Sequence, residues 1–238
     1  MDVLFGSIAA ALATAFTIVL VDRWRARRSG QYAAWALSMG AFALGSAALA
    51  VGAAVGWNGL LFRTYYLFGA MLTVAWLGCG ELLLVWGRSG NTVAVRRAVN
   101  ATVTFTVVAV VTVFTTPLLT AVAADGVPKG SDLVGFWPRL LAVVSNSVGT
   151  VAVVVGAGWS IVRAVRDRSG SALVVGNGLI VLGVVLAASS GSFLGLGLAA
   201  SKAVFLSLAE LSIFVGYMRC SAPPTDRAPL RRLPTVLT

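Results

Sequence analysis

Residues 77–88 read LGCGELLLVWGR and residues 207–219 read SLAELSIFVGYMR. Each stretch sets one glutamate, Glu81 or Glu210, among side chains that otherwise belong in hydrocarbon. Neither alternates with the two-residue period of a strand, and each is part of a longer run that is apolar all round. Such runs are helices surrounded by lipid, where backbone groups must be satisfied within the segment itself. Strands of a membrane barrel would alternate over about ten residues, which these runs do not do.

Working outward from these two, apolar runs near the bilayer-spanning length of about 20 residues recur at 3–21, 32–55, 60–86, 98–123, 140–165, 172–189 and 193–218. Hydrophobic residues make up 58% of the chain and charged ones 11%, with a mean hydropathy of +0.92. A soluble domain, roughly a quarter charged, is not built from that stock. The expected fold is therefore all-α, a seven-transmembrane-helix bundle over residues 1–219, followed by a basic, Pro- and Arg-rich tail, 220–238, expected to be disordered on the cytoplasmic face.

The net charge of +10 does not point to nucleic acid, because the arginines fall in short bursts between apolar runs. Arg23, Arg25, Arg27 and Arg28, then Arg88, Arg96 and Arg97, then Arg163, Arg166 and Arg168, and finally the tail arginines all fall on one side. Arg63, Lys129 and Arg139 fall on the other, with Lys202 further into its helix. The positive-inside rule then sets the N-terminus outside and the C-terminus in the cytoplasm, with the arginines meeting anionic lipid head groups. Asp2 before the first run and DRWRARR after it reverse the charge order of a signal peptide, so that run reads as a retained helix. Arginine-rich, Ala-, Val- and Gly-rich usage suggests GC-rich coding and a bacterial plasma membrane. Cys79 and Cys220 face no oxidising compartment in this topology, and no disulfide is expected.

Histidine is absent. That removes the usual membrane haem ligation, most zinc-hydrolase chemistry and any imidazole relay. No nucleotide loop, metal-spaced ligand set or nucleophile elbow appears, and Ser201 and Lys202 point in different helical directions. The reading is a non-enzyme without cofactor or metal.

Aromatic residues are expected to mark the interfaces: Trp57, Phe62, Tyr65 and Tyr66 with Phe136 and Trp137 on the outside, and Trp24, Tyr32, Trp86 and Trp159 inside. RRSGQYAAW after the first run and DRSGSALVV after the fifth occupy matching places. They raise a three-one-three parallel repeat in which Glu81 and Glu210 are equivalent.

The candidate site follows from these carboxylates. A charge near the bilayer centre costs about 2.5–3.5 kcal/mol on insertion scales, so such groups turn toward neighbouring helices. Arg63, Tyr66, Thr73 and Glu81 share one face at helical periodicity, although Arg63 and Glu81 stand about 27 Å apart. In the seventh run Lys202, Glu210 and Tyr217 fall within roughly a quarter of the circumference. Glu81 and Glu210 are expected to form one inner-half carboxylate site for a proton, a cation or a small solute, with Glu210 buried and partnered. The plain reading of Glu81 is a carboxylate that reaches the inner interface or pairs with a loop arginine. Asn146, with Thr150, and Asn177 are polar points that interhelical hydrogen bonding explains without a substrate. Thr112 and Thr116 are expected to back-bond to their own helix, and Pro117 to kink it.

A lysine in a seventh helix, with FTTPLL at 114–119, resembles part of a microbial rhodopsin. Val111 and Val122 stand where its carboxylates would be, so retinal is not expected. FRTYYLFGAMLTVAWLGCGELLLVWGR at 62–88 and GNGLIVLGVVLAASSG at 176–191 resemble a family of small bacterial seven-helix integral membrane proteins. The resemblance implies the architecture and no activity, and it implies a small hydroxyl residue more often than glutamate at position 81. The functional expectation is transporter- or channel-like movement of a small solute or ion. The alternative is a non-catalytic membrane partner or sensory subunit, with a homo-oligomer or a partner protein as its company.

The topology is open to test by labelling in a chain whose native cysteines are alanine. A cysteine replacing Lys129 is expected to react with an impermeant maleimide in intact cells, and one replacing Arg96 only after lysis.

Overall fold

The computed structural model describes residues 2–122, 126–166, 171–195 and 199–221, without the side chains of 188–195, 199–203 and Ser221. These residues form helices α1 (Asp2–Arg27), α2 (Gly30–Val55), α3 (Gly59–Arg88), α4 (Thr92–Thr115), α5 (Phe136–Arg166), α6 (Ser171–Gly195) and α7 (Ala199–Ser221). A single short turn of helix, Gly130–Leu133, precedes α5, and no strand occurs among the described residues. Helices α1 to α5 are each long and apolar enough to cross a membrane, and α6 contributes the apolar stretch Ser171–Ala187. Helix α7 continues two residues past the expected boundary at 219, and residues 222–238 of the tail lie outside the described residues.

Short, sharply capped connections make chain neighbours antiparallel. Asn58 accepts from the Leu61 amide at 2.9 Å and Asn91 from the Ala94 amide at 3.0 Å, so each opens a helix with its own side chain. Gly56 closes α2 at φ 90° and Gly90 follows α3 at φ 71°, conformations that favour a residue without Cβ.

Six helices close a ring. Helices α1, α2, α3, α5, α6 and α7 pack in that order and α7 returns to α1, while α4 lies outside against α3. Small residues allow the approach. A Cβ on Gly45 would lie 2.7 Å from Gly69 Cα, one on Gly78 2.8 Å from Gly149 Cα, and one on Gly176 2.7 Å from the Gly216 carbonyl. Hydroxyls and one amide then fasten the ring to backbone carbonyls across helices. Ser38 donates to Thr73 at 2.6 Å, Ser145 to Met71 at 2.6 Å, Asn146 to Ala70 at 2.6 Å, Ser212 to Leu179 at 2.8 Å and Ser207 to Phe5 at 3.0 Å. Valines 107 and 111 of α4 and 148, 151 and 155 of α5 are exposed, the composition expected of a surface that faces lipid.

Two of those accepting carbonyls, Met71 and Ala70, belong to one feature of α3. Residues Tyr65–Leu72 are wound as a π-helix, and Thr73 directs both its amide and its hydroxyl (2.7 Å) to the carbonyl five residues back, Phe68. The wider turn resets the helical register. For this reason the expected common face of Arg63, Tyr66, Thr73 and Glu81 does not form.

The fourth apolar run also departs from expectation. It was expected to extend to 123 with a kink at Pro117, yet α4 ends at Thr115 and Thr116 is extended at ψ 128°. Proline has no amide to continue the ladder and pushes the preceding residue out of helical conformation. The hydroxyl back-bonds expected of Thr112 and Thr116 are made instead by Thr102, Thr106 and Thr115. Beyond the helix, the Leu119 amide donates to the Leu133 carbonyl at 3.0 Å, tying the connecting segment to the short helical turn.

The expected outer aromatic belt is a core. Trp57, Phe62, Tyr65 and Tyr66 are buried, with Trp57 against Tyr65 at 5.5 Å and Phe62 stacked on Tyr66 at 5.6 Å. Phe136 and Trp137 remain exposed at that end, and Trp24 and Trp159 at the other, where Tyr32 is also buried. Gly52 explains part of the inward turn, because a Cβ there would strike the Trp57 ring at 2.6 Å.

The close crossing of α3 and α5 gives a direct test. Gly149→Val places a side chain against the Val74 carbonyl, and overpacking of this kind costs about 1–3 kcal/mol. A clear fall in the thermal unfolding midpoint in detergent is expected. Gly87→Ala, which meets open space, is expected to leave it unchanged.

Candidate functional site

The interior of the ring holds two cavities, one above the other, and none of their linings comes from α4. The first, of about 330 Å³, lies among the C-terminal ends of α1, α3, α5 and α7 and the N-terminal halves of α2 and α6. Its charged groups are Glu81, Arg88 and Arg163, and its aromatic walls are Phe16, Tyr32, Trp35, Trp159 and Tyr217.

Glycines at two helix crossings shape this chamber. The Trp35 indole lies against Gly80, where a Cβ would collide with its ring, and the Glu81 carboxylate lies against Gly156, where a Cβ would stand 2.7 Å from Oε2. Glu81 is buried and faces α5 from within the ring. Tyr217 packs on Phe16 at 4.9 Å, and the Arg23 guanidinium covers its ring at 5.3 Å. The Trp35 Nε1 donor, also buried, has no acceptor among the described residues.

The second cavity, of about 300 Å³, is lined by α2, α3, α5, α6 and α7. Its walls are apolar along Met39, Phe42, Leu49, Leu77, Val184 and Ile213, and its polar groups are Ser46, Tyr65, Thr73, Asn146, Thr150 and Glu210. Glu210 is 1% exposed, and its Oε1 meets no hydrogen-bond donor among the described residues. It is the one charged side chain among the described lining. Asn146 spends its amide hydrogens on the Ala70 carbonyl at 2.6 Å and the Ala142 carbonyl at 2.8 Å, which leaves the side-chain oxygen as an acceptor.

Met39, Leu77 and Ile213 line both cavities and stand between them. The two glutamates therefore do not form the single inner-half site expected. Helix α3 runs through both chambers, with the π segment beside the second cavity and Glu81, nine residues beyond it, in the first. The expected partner of Glu210 is also not found for Oε1 among the described residues.

The other expected residues separate. Tyr217 and Asn177 line the first cavity with Glu81, and Asn146 lines the second with Glu210. Asn177 donates to the Leu173 carbonyl of its own helix at 2.8 Å and approaches Cys220 Sγ at 3.6 Å across to α7. Arg63 leaves the interior altogether. Its guanidinium donates to the Val113 carbonyl and, at 2.9 Å, to the Thr116 carbonyl, capping the α4 end that Pro117 exposes. Tyr66 turns to Phe62 and Gly130 and lines neither cavity. The side chain of Lys202 lies outside the described residues.

Sequence reasoning missed Trp35 and the Met39–Leu77–Ile213 constriction, which are apolar residues among many. It also placed Arg88 and Arg163 in loops, though both reach into the first cavity. The usable signals were Gly80 and Gly156, small residues that seat Trp35 and Glu81. Compared with protein-family models, curated proteins and solved structures, the chain matches none.

Asn146→Leu removes the amide that joins α5 to the π segment. Interhelical bonds of this type in membranes contribute about 0.6–2 kcal/mol. The variant is expected to unfold at lower temperature in detergent, and by more than Asn177→Leu, whose amide bonds chiefly within its own helix.

Proposed function

We propose that the protein is a seven-span bacterial plasma-membrane protein, N-terminus outside, that moves a small solute or ion through the interior of its helix ring. The observation that carries this reading is Glu210, a buried carboxyl group whose Oε1 has no partner among the described residues, beside a cavity. Such a group is costly in a bilayer, and a helix-fastening role would show a donor on each oxygen. Two cavities that share Met39, Leu77 and Ile213 in their linings supply the rest of a path.

On this reading Glu210 holds the permeant species at mid-depth. Glu81, with Arg88 and Arg163 around it, sets the charge of the cytoplasmic vestibule. Met39, Leu77 and Ile213 form the apolar constriction between the chambers, and Met39, unbranched and flexible, is the most readily displaced of the three. Arginines at the cytoplasmic helix ends rest against anionic head groups and hold the orientation. The difference between α3, which carries a π segment, and α7, wound as α-helix throughout, gives any three-one-three repeat two unequal halves with different tasks.

Reconstitution into liposomes tests the reading. With an imposed membrane potential and a panel of protons, alkali ions and small organic ammonium ions, the wild-type protein is expected to carry a cation current, and Glu210→Gln to reduce it at least tenfold while eluting as the same species. No current in the wild type, or equal current in both, overturns it.

A further inference from the structure

We infer that the cavity beside Glu210 is a binding site for a small organic cation, an ammonium carried on an apolar body. This rests on the reading of the ring interior as a solute path and names the chemistry of the solute. Three features of the chamber select it.

The first is the acidic group. Glu210 is the one carboxyl group in the described lining, it is 1% exposed, and its Oε1 has no donor among the described residues. A carboxylate oxygen without a donor in such surroundings favours a ligand that brings both a positive charge and N–H groups.

The second is the wall. Phe42, Leu49, Leu77 and Ile213 surround the space with hydrocarbon, which desolvates an apolar body favourably and offers a strongly hydrated ion little in exchange for its water. The polar groups nearby are partly committed to the helices. Thr73 donates to the Phe68 carbonyl at 2.7 Å, and Asn146 gives its amide hydrogens to the Ala70 and Ala142 carbonyls. Among the described residues no group of three or more His, Cys, Asp or Glu side chains that could hold a metal ion occurs.

The third is size. A dry apolar cavity of about 150 Å³ takes a benzene ring, and this chamber offers about 300 Å³. One ring or a short branched chain, with an aminomethyl arm toward Glu210, fills that volume. Phe42 and Tyr65 belong to the same lining.

Benzylammonium is the probe, with benzyl alcohol as its uncharged counterpart and sodium chloride as the inorganic control, each titrated calorimetrically into the full-length protein in detergent. Saturable benzylammonium binding is expected, at least tenfold tighter than benzyl alcohol, and Glu210→Gln is expected to abolish that preference while retaining the alcohol. Equal binding of alcohol and ammonium, or unchanged ammonium binding in Glu210→Gln, overturns the inference and leaves an apolar cavity only. Sodium that displaces benzylammonium at equal concentration overturns it in favour of an inorganic ion. Should Glu210→Gln fail to elute as one species, Glu210→Asp takes its place, with ammonium binding weakened at least threefold and alcohol binding unaltered.

The two readings fail separately. Glu210-dependent cation current in liposomes without benzylammonium binding keeps the path and overturns this solute class. Binding lost in Glu210→Gln without any current supports the site and overturns permeation.

Discussion

Hydrocarbon offers no hydrogen bond, so each polar atom of a helix within it must find a partner inside the protein. That constraint organises the bundle. Ser38, Ser145, Asn146 and Ser212 each turn across a helix crossing to a backbone carbonyl that already belongs to a helix. Arg63 answers the carbonyls left at the end of α4 by Pro117. Ring closure and the small-residue crossings at Gly45–Gly69 and Gly78–Gly149 bring these atoms within reach.

The π segment of α3 concentrates this logic. Winding Tyr65–Leu72 with one more residue per turn brings the Phe68, Ala70 and Met71 carbonyls out to side-chain donors on α3 and α5. The same segment turns Tyr65, Gly69, Ala70 and Thr73 toward the cavity that holds Glu210. A local distortion of this kind is costly unless its freed groups are satisfied, and π turns are frequent at functional sites. Here the satisfied distortion and the unsatisfied carboxylate share one chamber.

Glu210 is the exception that gives the interior a chemical character. Ser38, Ser145 and Asn146 are tied to carbonyls, whereas Glu210 Oε1 meets no donor among the described residues. Glu81 differs in its setting, because it shares its chamber with two arginines and a cluster of aromatic rings close to the C-terminal ends of α1, α3, α5 and α7. Two carboxylates alike in sequence are thus set in unlike electrostatic surroundings. In the proposed path the deeper one selects the charge of the solute, and the shallower one belongs to a mixed-charge vestibule.

Much of the fold was legible in the sequence because bilayer thickness fixes helix length and hydrocarbon fixes composition. The apolar runs of α1 to α5, the inward turn of both glutamates and the cross-helix bond of Asn146 all follow from those two facts. The sequence could not show that α3 changes winding at Tyr65, because π and α turns are written in the same apolar residues. Arg63 and Tyr66 were consequently set on a face with Glu81 that does not exist, and the buried Trp57 and Tyr65 were read as an interfacial belt. Nor could it show that Glu81 and Glu210 occupy different chambers. Their separation depends on how Met39, Leu77 and Ile213 from three distant helices meet. Composition determines that a carboxylate must face inward, whereas helix crossings decide which cavity, partner and neighbours it finds there.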